Sequence, residues 1–222
     1  MANSKKILLV EGETDRSFFE EMCKKLSLNT LVQVALPRDL GGGYNSKEGV
    51  LNHLNVLLPQ LEDGQLLNIA VVIDADYIEH GSGGKKTLEK VTDILKSFDF
   101  ALSGSASSSE GLLFNHSDGL ADFGLWVMPN NDGEGMLEDW IKTCIKNDEK
   151  ALFQQATTTV KQLSSPKFKP HLKSKAEIAT WLAWQKKPGC GLYSVMKEGL
   201  LDENSVPYKK LAHWLKSVFK DV

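Results

Sequence analysis

Two short aliphatic runs, each followed by acidic residues, stand out in the hydrophobic pattern of the chain. Residues 7–10 lead into Glu11, and residues 69–73 lead into Asp74 and Asp76. Runs that are apolar at consecutive positions are typical of strands buried on both faces of a parallel sheet. The pattern therefore predicts two buried strands whose carboxyl ends carry carboxylates.

Further strand-like runs and stretches of helical periodicity alternate with these two strands. We expect strands at 31–37, 112–114 and 123–129, and helices at about 15–26, 46–61, 85–98, 148–163, 175–186 and 207–220, with another helix beginning at 136. Thr14 is expected to cap the first helix. Alternating strands and helices predict an α/β, Rossmann-like fold, with a mostly parallel sheet flanked by helices and right-handed crossovers.

The chain divides into two parts by pattern and by charge. We expect an α/β domain at 1–147 and a helical extension at 148–222 that packs on it. Residues 142–222 hold 15 Lys against 7 acidic residues, whereas residues 1–141 hold 11 basic against 22 acidic residues. An acidic N-terminal part and a basic C-terminal part would suit a cation-binding site beside a surface that binds a polyanion. Alternatively, the lysines only keep the exposed helix faces solvated.

Composition excludes several classes of protein. The cysteines Cys23, Cys144 and Cys190 are far apart in sequence, which argues against a structural zinc site and favours free thiols in a reducing compartment. No apolar run approaches the roughly 20 residues of a membrane span. The first residues lead straight into a strand without the apolar segment of a signal peptide, so a cytoplasmic location is expected.

The acidic residues after the two aliphatic strands are the main chemical candidates. Ligands of open α/β sheets bind beyond the carboxyl ends of the strands, where Glu11, Asp74 and Asp76 are expected. In an extended segment, residues two apart point the same way, so Asp74 and Asp76 could reach one point. Clustered carboxylates repel unless one is protonated or a cation neutralises them, and Mg²⁺ or Mn²⁺ would do so. Alone, such a pair could also be a helix cap or a surface pair.

Together these motifs resemble Toprim domains, the catalytic fold of topoisomerases, primases, small ribosomal-RNA-maturing ribonucleases and OLD-family nucleases. That signature is a glutamate after the first strand and an Asp-x-Asp after a later one, which Glu11 and Asp74-Ala75-Asp76 match. The chain is more closely similar to an uncharacterised bacterial and archaeal family of stand-alone Toprim-like proteins. Its Trp-x-Met-Pro-x-Asn and Gly-x-Leu-Glu-Asp arrangement is matched within residues 126–139, and the resemblance covers roughly residues 5–141.

The resemblance implies residue roles. Glu11 would be the general acid or base, or a bridging ligand, and Asp74 and Asp76 would bind metal. Asp15, four residues after the first glutamate, and Glu138 would complete a second metal site, as in the nuclease branch. Two further acids occupy the same loop as Glu138 and leave that assignment open: Asp132 and Glu134.

Candidates for substrate binding lie in two glycine-rich segments and among the C-terminal lysines. The backbone around Gly42, in a run of three glycines, could approach a phosphate or could serve only as a connector. Lys85 and Lys86 could neutralise phosphate charge or be a solvated pair. Three tryptophans of the helical extension could stack on bases or belong to the core: Trp181, Trp184 and Trp214.

The resemblance implies Mg²⁺- or Mn²⁺-dependent phosphoryl transfer on nucleic acid, most simply cleavage by a Toprim-type nuclease. The alternative is a non-catalytic metal- or nucleic-acid-binding subunit of a defence or repair system, which implies a protein partner. Neither hypothesis places the chain in a membrane.

Overall fold

The computed structural model describes residues 5–35, 46–80, 82–103 and 110–219. The strands are β1 (Lys6–Val10), β2 (Leu31–Val34), β3 (Asn68–Asp74), β4 (Phe100–Leu102), β5 (Leu112–His116) and β6 (Phe123–Met128). The helices are α1 (Glu13–Lys25), α2 (Lys47–Glu62), α3 (Gly84–Lys96), α4 (Leu137–Cys144), α5 (Lys150–Lys161), α6 (Lys173–Ala183), α7 (Ser194–Lys197) and α8 (Val206–Val218). Short 3₁₀ turns occupy Ile78–His80 and Pro170–Leu172.

The strands form one six-stranded sheet in the order β2-β1-β3-β6-β5-β4. The pairs β1–β2, β1–β3 and β3–β6 are parallel, whereas β5 runs antiparallel to both β6 and β4. Helices cover both faces of this sheet, and the predicted α/β fold with a mostly parallel sheet is confirmed. In the central pair, Leu9 of β1 lies opposite Val71 of β3, so the two strands end at the same edge.

Side chains alternate in direction along the buried strands, so they contribute to two hydrophobic clusters, one on each face of the sheet. Leu8 and Val10 of β1 point into one cluster, and Ile7 and Leu9 point into the other. The second cluster is built with α2 and α3, whereas the first is built with α1, α4 and the C-terminal helices. Because side chains alternate along a strand, an aliphatic run with no polar position is what a sheet covered on both faces requires.

The C-terminal helices complete the first of these clusters. Trp181 of α6 and Trp214 of α8 are 0% and 1% exposed, which settles their role as core residues, while Trp184 is 40% exposed. The Trp214 ring lies 5.5 Å from that of Trp126 in β6, centroid to centroid. Residues beyond 148 therefore share the hydrophobic core of the sheet.

Some local expectations were wrong. Thr14 is not the cap of the first helix, because α1 begins at Glu13 and the Gly12 amide instead donates to the Asp15 carboxylate at 3.1 Å. Strand β4, with three residues, and helix α7, with four, were not predicted. Segments this short do not show a hydrophobic periodicity that distinguishes a strand or a helix. Ser46 does cap α2, accepting from the Gly49 amide at 3.1 Å.

No helix in the described part of the chain combines the length and the apolar character needed to cross a membrane.

Candidate active site

The two aliphatic strands bring their terminal carboxylates together. Glu11 follows β1, and Asp74 is the last residue of β3, the neighbouring parallel strand. The backbone N–H of Asp74 donates to Glu11 Oε1 at 2.8 Å. This hydrogen bond fixes the Glu11 side chain across the sheet edge, beside the Asp74 carboxylate.

Two helix starts add further carboxylates to the same edge. Asp15, in the first turn of α1, accepts from the Gly12 amide and lies in the electrostatic field of Glu138. Glu138 is the second residue of α4 and is 6% exposed. The amide of Leu137, just before it, donates to Asp74 Oδ1 at 3.0 Å and so holds the start of α4 against β3. We call Glu11, Asp15, Asp74 and Glu138 the acidic cluster.

Burial raises the pKa of every carboxyl group in the acidic cluster, and neighbouring negative charges add to the effect. Burial raises the pKa of Glu11 to about 7, opposed by the Asp74 hydrogen bond and reinforced by the charge of Asp76. Burial, followed by the charge of Glu138, raises the pKa of Asp15 to about 6. Burial and then the Glu11 charge place the pKa of Asp74 well above its usual range, and burial also raises the pKa of Glu138. The folded chain therefore holds carboxylates that lack sufficient positive charge around them.

Asp76 has its own cationic partner. Its Oδ2 is 2.6 Å from Lys47 Nζ, at the start of α2. Its backbone is left-handed, with φ of 59°, so the extended segment that would align it with Asp74 does not exist. Lys47 also donates to the Ala75 carbonyl at 3.0 Å and to the hydroxyls of Ser82 and Thr87 at 2.9 and 3.2 Å. This pair braces the loop after β3, and Asp76 acts on Glu11 through its charge.

Lys175, from the C-terminal helices, forms an ion pair with the acidic cluster. Its Nζ lies 3.7 Å from Glu138 Oε1, and the Lys175 side chain is 49% exposed. Burial lowers the pKa of Lys175, but attraction by Glu138 and then by the other three carboxylates raises it overall. No pattern in the sequence indicates which of the 15 lysines after residue 141 takes this role.

A polar network holds α6, and with it Lys175, against α4. Lys142 of α4 pairs with Glu177 of α6 at 2.6 Å and donates to Ser174 at 2.7 Å. Ser174 in turn donates to Asp139 Oδ1 at 2.5 Å. Ser174 and Glu177 are each 6% exposed, whereas the side chains of Lys142 and Asp139 are 23% and 27% exposed, so the network is partly shielded from water and holds α6 in position.

Of the rival acids in the loop before α4, Glu134 ties that loop to the turn after β3 and Asp132 accepts within the loop. Glu134 accepts from the Ile78 amide at 2.8 Å, and Asp132 accepts from the Gly133 amide at 2.9 Å. Lys85 and Lys86 are exposed at the start of α3, on a groove of about 530 Å³ that Asp132 also lines. Gly42 lies outside the described residues.

The acidic cluster has the donor chemistry of a site for a hard divalent cation, but its side chains do not converge fully. Mg²⁺ prefers carboxylate oxygens, and a +2 ion would offset the charges that raise these pKa values. Within the described ranges, no group of three or more His, Cys, Asp or Glu side chains is arranged so that it could hold a metal ion. Ion binding would therefore require side chains of the cluster to turn toward one another.

Comparison with known proteins places the chain in a family. A family model described as a protein of unknown function, DUF3226, matches residues 5–220. The match includes the C-terminal helices, well beyond the stretch of roughly 5–141 over which the Toprim resemblance was expected. No curated protein and no solved structure matches the chain.

Proposed function

The chain belongs to the DUF3226 family, and from the chemistry of its acidic cluster we propose that it hydrolyses phosphodiester bonds of nucleic acid with the help of Mg²⁺ or Mn²⁺. The observation that carries the proposal is the junction of β1 and β3. There the Asp74 amide holds Glu11 at 2.8 Å, at the edge of the sheet where α/β proteins bind ligands. The Toprim-like pattern of Glu11 and Asp74-Ala75-Asp76 supports the same assignment.

The metal would be held by Asp74, Asp15 and Glu138. Asp74 and Asp15 each use one carboxylate oxygen to accept a backbone amide, which leaves the other oxygen of each for a ligand bond. When bound, the ion supplies polarisation of a phosphoryl oxygen and acidification of a coordinated water. Asp76 is left out of this set, because Lys47 already neutralises it at 2.6 Å.

Glu11 is the proposed general base. A base works best when its pKa lies near the working pH, and burial raises the pKa of Glu11 to about 7. In the proposed step, the water oxygen bonds to phosphorus while its proton passes to Glu11. The bond from phosphorus to the leaving ester oxygen breaks, and that oxygen takes a proton from solvent. The products are one phosphate monoester end and one hydroxyl end.

Lys175 adds positive charge from the C-terminal helices to that of Lys47, which acts on Glu11. In the described structure it offsets carboxylate charge 3.7 Å from Glu138, with half of its side chain still exposed. A divalent cation in the cluster would take over that neutralisation. Lys175 would then be available for the phosphate of the substrate, where fixed cations stabilise developing negative charge.

Cleavage assays with matched variants test the proposal. Single-stranded DNA, duplex DNA and RNA are incubated with wild-type protein, Asp74→Asn and Asp93→Asn in Mg²⁺ or Mn²⁺. Asp93 is a suitable control, because its side chain is 76% exposed on α3. We expect cleavage of at least one substrate, unchanged by Asp93→Asn and reduced at least about 100-fold by Asp74→Asn. Equal cleavage by wild type and Asp74→Asn would contradict the proposal.

One observation favours a second candidate, a non-catalytic binding subunit. The described carboxylates do not form a ready metal-binding group, and Lys175 already neutralises part of their charge. On this hypothesis the same assays would show nucleic-acid binding that needs no metal, without cleavage by any variant.

A further inference from the structure

A pocket of about 390 Å³ opens beside the acidic cluster. It lies between α6 and the segment before α7, and Thr14 at the start of α1 closes one side. Two residues of the active site, Glu138 and Lys175, also line this pocket. The pocket and the acidic cluster are therefore neighbouring compartments with a shared wall.

The remaining walls of the pocket are mostly aliphatic. Ile178 and Leu182 of α6 and Leu192 from the facing segment contribute side chains that are 1%, 5% and 6% exposed. Ala179 leaves the rim of the pocket open. A ligand here would contact the aliphatic walls and place a negative group toward Lys175.

We propose that this pocket takes one unpaired nucleotide of the substrate strand, with its base between the aliphatic walls and its phosphate at Lys175. The assignment of a nucleotide rests on the proposed function. The volume lies near the lower end of the range for small-molecule sites, roughly 300–1,000 Å³, and so suits one nucleotide. A base held in a duplex cannot enter a pocket of this kind without leaving its stack, which costs free energy.

The substrate class follows from this placement. Single strands and frayed ends offer unpaired nucleotides at no unpairing cost, whereas closed duplex does not. We infer that the enzyme prefers single-stranded nucleic acid or strand ends over closed duplex.

Cys190 is a probe of the pocket when it is combined with the pocket-filling variant below, since Cys190 also lines a second, smaller pocket with Lys186 and Lys187. It lines the pocket and is partly exposed, whereas Cys23 and Cys144 are buried in the core. Alkylation of the native protein by N-ethylmaleimide, followed site by site with mass spectrometry, therefore reports on access to Cys190. This readout requires neither cleavage nor a bound metal.

The experiment measures the rate of Cys190 alkylation in full-length protein with thymidine 5′-monophosphate or with ribose 5-phosphate, which has the phosphate but no base. The nucleotide is expected to slow alkylation about 10-fold when present at about ten times its dissociation constant. Ribose 5-phosphate at the same concentration is expected to give much weaker protection. Equal alkylation rates with and without saturating nucleotide would overturn the proposal.

A pocket-filling variant tests the inferred strand preference. Ala179→Phe places a ring at the rim of the pocket, and Ala151→Phe makes the same change on the exposed surface of α5. Ala179→Phe is expected to reduce cleavage of a single-stranded oligonucleotide roughly 10-fold and to abolish protection of Cys190, whereas Ala151→Phe changes neither. Full protection and unchanged cleavage in Ala179→Phe would contradict the pocket assignment.

The two proposals fail in different ways. Cleavage that depends on Asp74 without protection of Cys190 would overturn the pocket and leave hydrolysis standing. Protection of Cys190 by the nucleotide without cleavage by wild-type protein would support the pocket as a nucleotide site and overturn hydrolysis.

Discussion

Replacing the candidate general base by its amide is expected to stabilise the metal-free protein. Burial raises the pKa of Glu11 to about 7 from an ordinary value of 4.5. The pKa of Glu11 is higher in the folded protein than in the unfolded chain. Protonated Glu11 therefore makes its full contribution to the free energy of unfolding below about pH 4.5, and that contribution is lost as pH rises through about 7. Glu11→Gln keeps an oxygen that can accept the Asp74 amide but cannot ionise, so it escapes this loss.

The size of the effect follows from the shift in the pKa of Glu11. One pKa unit corresponds to about 1.4 kcal/mol, so the advantage of Glu11→Gln grows from about 1 kcal/mol at pH 5 to about 3 kcal/mol at pH 8. These values treat Glu11 alone. Removing its charge also relieves repulsion on Asp74, which adds to the gain at high pH.

Urea denaturation in EDTA at pH 5 and pH 8 measures this advantage as a difference in the free energy of unfolding. Glu62→Gln at the exposed end of α2 is the matched control and is expected to change stability little at either pH. Adding Mg²⁺ at pH 8 should stabilise both proteins, because Glu11→Gln leaves the proposed ligands Asp74, Asp15 and Glu138 unchanged. A Glu11→Gln protein no more stable than wild type at pH 8, with the same dependence on pH, would refute the reasoning.

Two further predictions concern the C-terminal helices. Lys175→Met removes a positive charge from the acidic cluster, so calorimetry should show tighter binding of Mn²⁺ while cleavage slows. Lys173 Nζ is also 3.7 Å from a glutamate oxygen, and Lys173→Met is the control that should change neither Mn²⁺ affinity nor cleavage. Weaker Mn²⁺ binding in Lys175→Met would contradict this role. Gly111→Ala would put a Cβ 2.1 Å from Trp214 Cδ1, whereas Gly119→Ala, also at positive φ, meets no atom within 4 Å. Urea denaturation should show Gly111→Ala to be the more destabilising by about 2 kcal/mol or more, and equal losses would argue against this packing of α8.

The buried strands could be predicted because the run of aliphatic residues that indicates each strand lies within the strand itself. Strands β1 and β3 are aliphatic at consecutive positions, and parallel strands must end at a shared edge, so the approach of Glu11 to Asp74 followed from the pattern. The start of α4 at Leu137, which brings Glu138 to the same edge, followed from a polar loop before a helical pattern.

The cationic partners could not be predicted in the same way. Lys47 reaches Asp76 from a helix that precedes β3, and Lys175 reaches Glu138 from 37 residues further along the chain. Both contacts depend on how helices cross the sheet, which no spacing in the sequence encodes. The left-handed backbone of Asp76 could not be predicted either, because an Asp-x-Asp pattern does not indicate the φ angle of its second aspartate.

The central claim, that Asp74 at the end of β3 holds a divalent cation together with Asp15 and Glu138, is tested most directly by calorimetric titration of Mn²⁺ at pH 7.5. Wild-type protein and the exposed control Asp93→Asn are expected to bind with the same affinity. Asp74→Asn, whose remaining oxygen can still accept the Leu137 amide, is expected to bind about 10-fold or more weakly. Equal Mn²⁺ affinity in Asp74→Asn and wild type, or no binding by wild type, would contradict the claim.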